Sequence, residues 1–140
     1  MGFKQFMVLG FGLLMASQSI ANTGLEGTWQ LISGEYIDAE GKTVSYANTD
    51  MQALKVLTPE NFSFTSMKGE QFWAAATGTY EFKDGNYIES LLLNSFGEKV
   101  GASFAFQAQL EGDFWYNSRW ENEQRIEYEV WQRLNHSASK

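Results

Sequence analysis

The chain has no cysteine, one proline, one histidine, and ten basic residues against seventeen acidic ones in a length of 140. Each scarcity removes a class of explanation. Without cysteine there is no disulfide framework, zinc ribbon, thiol nucleophile or sulfur for lipid attachment, so stability has to come from packing. The single histidine, His136, sits in a polar C-terminal stretch, where it is badly placed for a Ser-His-Asp arrangement. Alone it also offers too few ligands for zinc. Glycines stand singly at turns, so no phosphate-cradling loop is present, and no Asp-x-Asp-x-Asp-Gly calcium pattern occurs. These absences imply no metal and no cofactor. The formal charge of −7 argues against nucleic acid as a partner, because phosphate affinity needs clustered Lys and Arg. It argues equally against an anionic membrane surface. What the chain has in quantity is apolar residues, 44%, and aromatics, 16%, enough for a real core.

The first residues read as a targeting segment. Lys4 gives a positive start, and Phe6 to Met15 form an apolar run too short to cross a bilayer as a helix of about 20 residues. Ser19 and Ala21 supply the small residues of a signal-peptidase site, which predicts cleavage after Ala21. Residues 1–21 are thus expected to be a signal peptide, 22–134 one domain and 135–140 a polar tail. Cleavage leaves no stable membrane anchor and an acidic protein in the periplasm or the medium. A small exported domain without cysteine fits a bacterial envelope better than a eukaryotic secretory route.

Beyond Asn22 no segment sustains helical periodicity, whereas short β-rich runs recur between Gly, Asn and Asp turns. The spacing predicts an all-β fold with about eight antiparallel strands, over 27–36, 52–57, 61–67, 72–83, 87–94, 102–110, 113–120 and 125–134. Gly85 and Gly112 fit the tight turns between neighbouring runs. Residues 44–54 carry no decisive period, and a short helix or lid fits there as well as a strand. Alternation puts Ala102, Phe104, Phe106, Ala108 and Leu110 on one face of their strand. It also puts Glu89 among Tyr87, Leu91 and Leu93, an acid in apolar company.

Gly27-Thr28-Trp29 in the first strand and Trp131-Gln132-Arg133 in the last resemble the Gly-x-Trp and terminal Arg pairing of the lipocalin and calycin barrels. Leu54-Lys55-Val56-Leu57, Phe62-Ser63-Phe64, Gly78-Thr79-Tyr80, Tyr87-Ile88-Glu89-Ser90, Gly112-Asp113-Phe114-Trp115 and Tyr128-Glu129-Val130 extend the likeness from about Leu25 to Leu134. Together they resemble a family of exported bacterial lipocalin-like domains of unknown function. The Thr-Asp-Tyr motif of lipocalins has only Thr49-Asp50-Met51 as its counterpart, and their disulfides are absent. The resemblance implies a single up-and-down barrel in which Arg133 stacks on Trp29 and closes one end, a contact worth on the order of 1 kcal/mol. It also implies that Trp131, Glu129 and Glu127 share the inward face with Arg133.

The expected ligand contacts are therefore Tyr80, Glu89, Trp115, Glu129 and Trp131, around a small hydrophobic or amphipathic molecule held noncovalently. A barrel whose interior is simply filled, with an inward Glu paired to Arg133 or Arg125, is the alternative; it would act through its outer surface. A third reading uses Glu89 and Glu129 as an acid-base pair in a small isomerase or hydrolase, without naming a catalytic residue. Trp73 and Trp120 fit the wall or rim of a cavity mouth.

Overall fold

A computed structural model describes residues 23–135; the expected signal peptide, its cleavage site and His136 lie outside the described residues. The chain between them is almost entirely strand: β1 (Gly27–Ile37), β2 (Thr43–Ser45), β3 (Met51–Leu57), β4 (Asn61–Lys68), β5 (Gln71–Lys83), β6 (Asn86–Asn94), β7 (Ser103–Glu111), β8 (Phe114–Glu121) and β9 (Gln124–Arg133). β3 to β9 follow one another in spatial order, every neighbour antiparallel, and β1 pairs with both β3 and β9. That double pairing closes an eight-stranded up-and-down barrel and leaves no exposed sheet edge along it. The short β2 pairs only with the far end of β1, as a hairpin outside the ring. The undecided segment resolves into this β2, a four-residue 3-10 turn over Tyr46–Thr49, and the start of β3.

The sequence builds hairpins because its turns take backbone angles that suit the right-handed twist of paired strands. Asp84 and Gly85 both have positive φ, 52° and 75°, between β5 and β6. Asn122 and Glu123 do the same, at 47° and 64°, between β8 and β9, although neither is glycine. Gly78, on β5, is required for a different reason. A Cβ there would collide with the Ser90 carbonyl oxygen and press on the Phe62 ring, so the close approach of β5 to β6 needs its absence.

Four β-bulges interrupt the ladders. Each places one extra residue on one strand: Ile32 on β1, Trp73 on β5, Leu92 on β6 and Ile126 on β9. A bulge turns the strand over by one residue and so changes which side chains face in. This corrects the simple alternation in β6. Tyr87, Glu89 and Leu91 point inward and are buried, but past the bulge Leu93 is 70% exposed.

One end of the barrel is solid. Trp29 and Trp115 meet edge to face with ring centroids 5.5 Å apart, and Tyr87 meets Trp115 the same way at 4.8 Å. The chain entering β1 runs across this end, with Leu25 fully buried and its carbonyl accepting a hydrogen bond from Trp29 Nε1 at 2.8 Å. Arg133 caps the plug from outside. Its guanidinium lies 4.1 Å from the Trp29 ring and donates to the carbonyl oxygens of Glu26 and, at 2.7 Å, Gly24. Stacking and carbonyl bonds together use both the flat face and the in-plane donors of the guanidinium, which a lysine could not do.

Candidate functional site

The other end of the barrel is open onto a cavity of about 350 Å³. Its deep part is formed by inward residues from the middle of the strands, among them Leu31, Lys55, Glu89, Phe106, Glu129 and Trp131. Its mouth is formed by the strand ends and loops on the far side, with Ile37, Tyr46, Met51, Trp73, Phe96 and Ile126. Two of those mouth residues, Trp73 and Ile126, are the extra residues of bulges, so the irregularities of the sheet aim large apolar side chains at the opening. Trp73 is 53% exposed with Lys68 Nζ 3.3 Å from its ring centre, whereas Trp120 is exposed and does not line the cavity.

The chemistry of the floor centres on Lys55. On β3 Leu54 and Val56 face outward, each 46% exposed, and Ala53, Lys55 and Leu57 face inward. The Lys55 ammonium is buried and lies 2.6 Å from Glu89 Oε1. The same oxygen accepts the Tyr87 hydroxyl at 2.8 Å. Five rings surround the ammonium with centroids 5.0 to 5.9 Å away: Trp131, Trp115, Tyr87, Phe64 and Phe106. Burial alone would depress the Lys55 pKa, but Glu89, Glu129 and Glu127 outweigh it and hold the ammonium above the ordinary lysine value. Burial, reinforced by the charge of Glu89, likewise pushes the Tyr87 phenol well up, so it is a hydrogen-bond donor at neutral pH.

The second polar group is on β9. Glu129 accepts a hydrogen bond from Trp131 Nε1 at 2.8 Å and is 9% exposed. Burial pushes its carboxyl up; Lys55 pulls it down, Glu127 pushes it up again, and the result is about 7. Tyr46, over the same wall, is raised by burial and then by Glu129 and Glu127. Glu127 is itself held by Arg119 Nε at 2.9 Å, and Arg119 reaches Glu121 at 3.2 Å. Beside Glu129 in the register stands Asn117, fully buried on the inward face of β8. Neither its amide nitrogen nor its amide oxygen meets a protein partner, and Trp115 Nε1 is in the same position. Each such group costs about 1–3 kcal/mol; both residues lie behind the cavity surface rather than on it, so the unpaired polar atoms belong to the packed interior next to Glu129.

Of the residues singled out in the sequence, Glu89, Glu129 and Trp131 come together on the cavity surface. Tyr80 and Trp115 do not. Tyr80 lies in the solid end, donating to the Thr58 carbonyl at 2.7 Å with Thr23 Oγ1 3.1 Å away, and Trp115 is enclosed between Trp29, Tyr87 and Trp131. The inward glutamate is paired with a lysine; Arg133 serves the plug, and Arg125 reaches Glu35 on the outside at 3.2 Å. The residue missed by sequence reasoning is Lys55: a lone lysine in a strand is ordinarily solvated, and its partner Glu89 is 34 residues away in the chain. Among the described residues no group of three or more His, Asp or Glu side chains is placed to hold a metal ion. No protein-family model matches this chain, and no curated protein matches it.

Proposed function

We propose that this barrel is a lipocalin-like binding protein that holds a small, partly apolar molecule noncovalently, and that it works in the periplasm or outside the cell of a bacterium. The observation that carries the binding reading is the cavity. It is about 350 Å³, open at one end, walled by aromatic side chains and furnished with a few convergent polar groups. Ligand sites commonly start near 300 Å³ and have this mixture of apolar wall and sparse polar anchors. Glu89, Glu129 and Trp131 are the proposed contacts, with Lys55 setting the polarity of the floor. Tyr80, Trp115, Trp29 and Arg133 support the closed end beneath them. Acid-base catalysis by Glu89 is the weaker reading, because that carboxylate already accepts from both Lys55 and Tyr87.

Native mass spectrometry of the protein isolated from its own host, with organic extraction of whatever it carries, tests the reading. A reproducible extra mass that is lost on Trp131→Ala is the expected result. A bare mass, with no change of tryptophan fluorescence across a panel of amphiphiles, would transfer the function to the outer surface of a filled barrel. The same purification locates the mature N-terminus, expected at Asn22.

A further inference from the structure

The inside of the cavity has a charge imbalance that its own residues do not cancel. Two cations line it, Lys55 and Arg119, against three carboxylates, Glu89, Glu127 and Glu129. Lys55 is committed to Glu89 at 2.6 Å, and Arg119 to Glu127 at 2.9 Å. Glu129 is the carboxylate of the three that no cation approaches within salt-bridge distance among the described residues. Its hydrogen-bond partners are the neutral indole of Trp131 and the neighbouring carboxyl of Glu127, neither of which brings a positive charge. It is nine-tenths buried, and Asn117 opposite it in the β8–β9 register is fully buried with both polar amide atoms unpartnered. The mouth, by contrast, offers Ile37, Met51, Trp73, Phe96 and Ile126. The Arg119–Glu127 pair stands nearer this opening, beside Ile126, and its charges are matched to each other; the deeper polarity is that of Lys55, Glu89 and Glu129.

From this arrangement we infer that the cavity takes an organic monocation, an ammonium head carrying an apolar body, with the head inward at Glu129 and the body toward Trp73 and Phe96. The inference rests on the binding reading above and narrows its ligand class. A cation brings the five charged cavity groups to neutrality with Glu129 ionised, and the aromatic wall around Trp131 suits an ammonium group. An anionic head would add a fourth negative charge to the three carboxylates that already line the cavity. A neutral ligand would leave Glu129 either protonated or uncompensated. At a ~30 Å³ share per water-sized group, the volume accepts about a dozen non-hydrogen atoms, the size of a short-chain amine.

Ammonium binding is then coupled to release of the Glu129 proton. The charged and titratable groups around that carboxyl are Lys55 from β3, Glu89 and Tyr87 from β6, Arg119 from β8, Glu127 from β9, Tyr36 from β1 and Tyr46 from the 3-10 turn. Burial pushes the Glu129 carboxyl up to about 7. Only the ionised form attracts a cation, so affinity is reduced by the fraction of protein that is still protonated there.

The test compares n-octylamine, 1-octanol and octanoate, titrated into the protein at pH 6 and pH 8 with tryptophan fluorescence and calorimetry as readouts. None of the three probes changes its own charge appreciably over that interval, so any pH effect belongs to the protein. The expected result is octylamine binding that tightens by about tenfold from pH 6 to pH 8, octanol binding that stays constant, and octanoate binding that is weakest and declines. Glu129→Gln should bring octylamine to the level of octanol at both pH values. The wild-type pH series needs no variant, so a poorly folding Glu129→Gln would not rescue the idea. Octanol binding with octylamine showing no advantage and no pH dependence overturns the inference and leaves the binding reading standing. Octanoate as the tightest of the three would overturn it as well, and would assign the head-group contact to Lys55. Failure of all three probes to bind overturns the binding reading and the inference with it.

Discussion

Lys55 and Glu89 allow the sharpest test of how this interior is held together. Both side chains are almost completely buried, 3% and 6% exposed, with nitrogen and oxygen 2.6 Å apart. At an effective dielectric constant of about 20 their attraction is worth about 6 kcal/mol. Burial of two ions costs several kcal/mol each, so the pair as a whole contributes close to nothing to stability. Removing one partner is a different matter, because the other is left as an uncompensated charge among five aromatic rings. Lys55→Met should therefore lower the unfolding free energy by about 3–5 kcal/mol, and Glu89→Gln by a similar amount. The double variant Lys55→Met/Glu89→Gln should recover most of the loss. Urea unfolding of the four proteins, followed by tryptophan fluorescence, gives the cycle, and the single variants should melt roughly 10–20 °C lower than wild type. A Lys55→Met variant destabilised by less than about 1 kcal/mol, or a double variant whose loss equals the sum of the singles, would refute the reasoning. Either outcome would mean that water reaches the ammonium or that the two charges do not depend on each other.

Other consequences can be measured in the same way. Trp29→Ala removes a fully buried indole from the plug and should cost about 3–5 kcal/mol in denaturant unfolding; a loss under about 1 kcal/mol would place Trp29 outside the core. Glu129 has a folded-state pKa of about 7 against an ordinary 4.5, so the folded protein holds that proton more firmly than the unfolded chain does. Its contribution to stability is accordingly greatest below pH 4.5, declines as pH rises through 4.5 to 7, and is level above that. At about 1.4 kcal/mol per pH unit the decline comes to about 3–4 kcal/mol, and it should vanish from the stability profile of Glu129→Gln. Glu123→Gly would create an Asn-Gly turn at a position with φ of 64°. The change should stabilise the β8–β9 hairpin by about 0.5–1 kcal/mol, and a lower melting temperature would show that the left-handed backbone is not a burden there.

The open mouth and the plugged end divide the molecule's tasks between its two ends. Arg133, Trp29, Leu25 and Tyr80 fix the closed end through hydrogen bonds to backbone carbonyls and ring contacts. The bulges fall toward the other half of the barrel, where they bring Trp73 and Ile126 to the opening. Under the proposed binding reading, a ligand entering there would pass Trp73, Ile126 and the mutually paired Arg119 and Glu127 before it reaches Glu129. Desolvation of an ammonium head would thus be offset only when it reaches Glu129, so an apolar molecule without a head group gains less from the full depth of the cavity.

The sequence by itself determined that the described chain is all β, where most of its hairpins fall and which residues close one end. Period-two alternation in runs such as 102–110 and turn chemistry at Asp84-Gly85 are local properties, set by side-chain direction and permitted φ, so they can be read without neighbours. Glu89 was legible for the same reason, whereas alternation left the two faces of the last strand open, and the inward phase of Glu129 and Trp131 followed only from the resemblance that sets Arg133 over Trp29. Other features depended on which strands meet. A lysine between Ala53 and Leu57 carries no local sign of burial, and only the closed ring shows that Lys55 faces an interior able to pay its desolvation through Glu89 and the surrounding rings. Closure likewise placed Tyr80 and Trp115 beneath the cavity, since depth along a barrel axis follows from strand register and shear, which no single strand encodes. The bulges at Trp73, Leu92 and Ile126 are products of pairing as well. An extra residue exists only relative to a partner strand, and that relation exists only in the folded barrel.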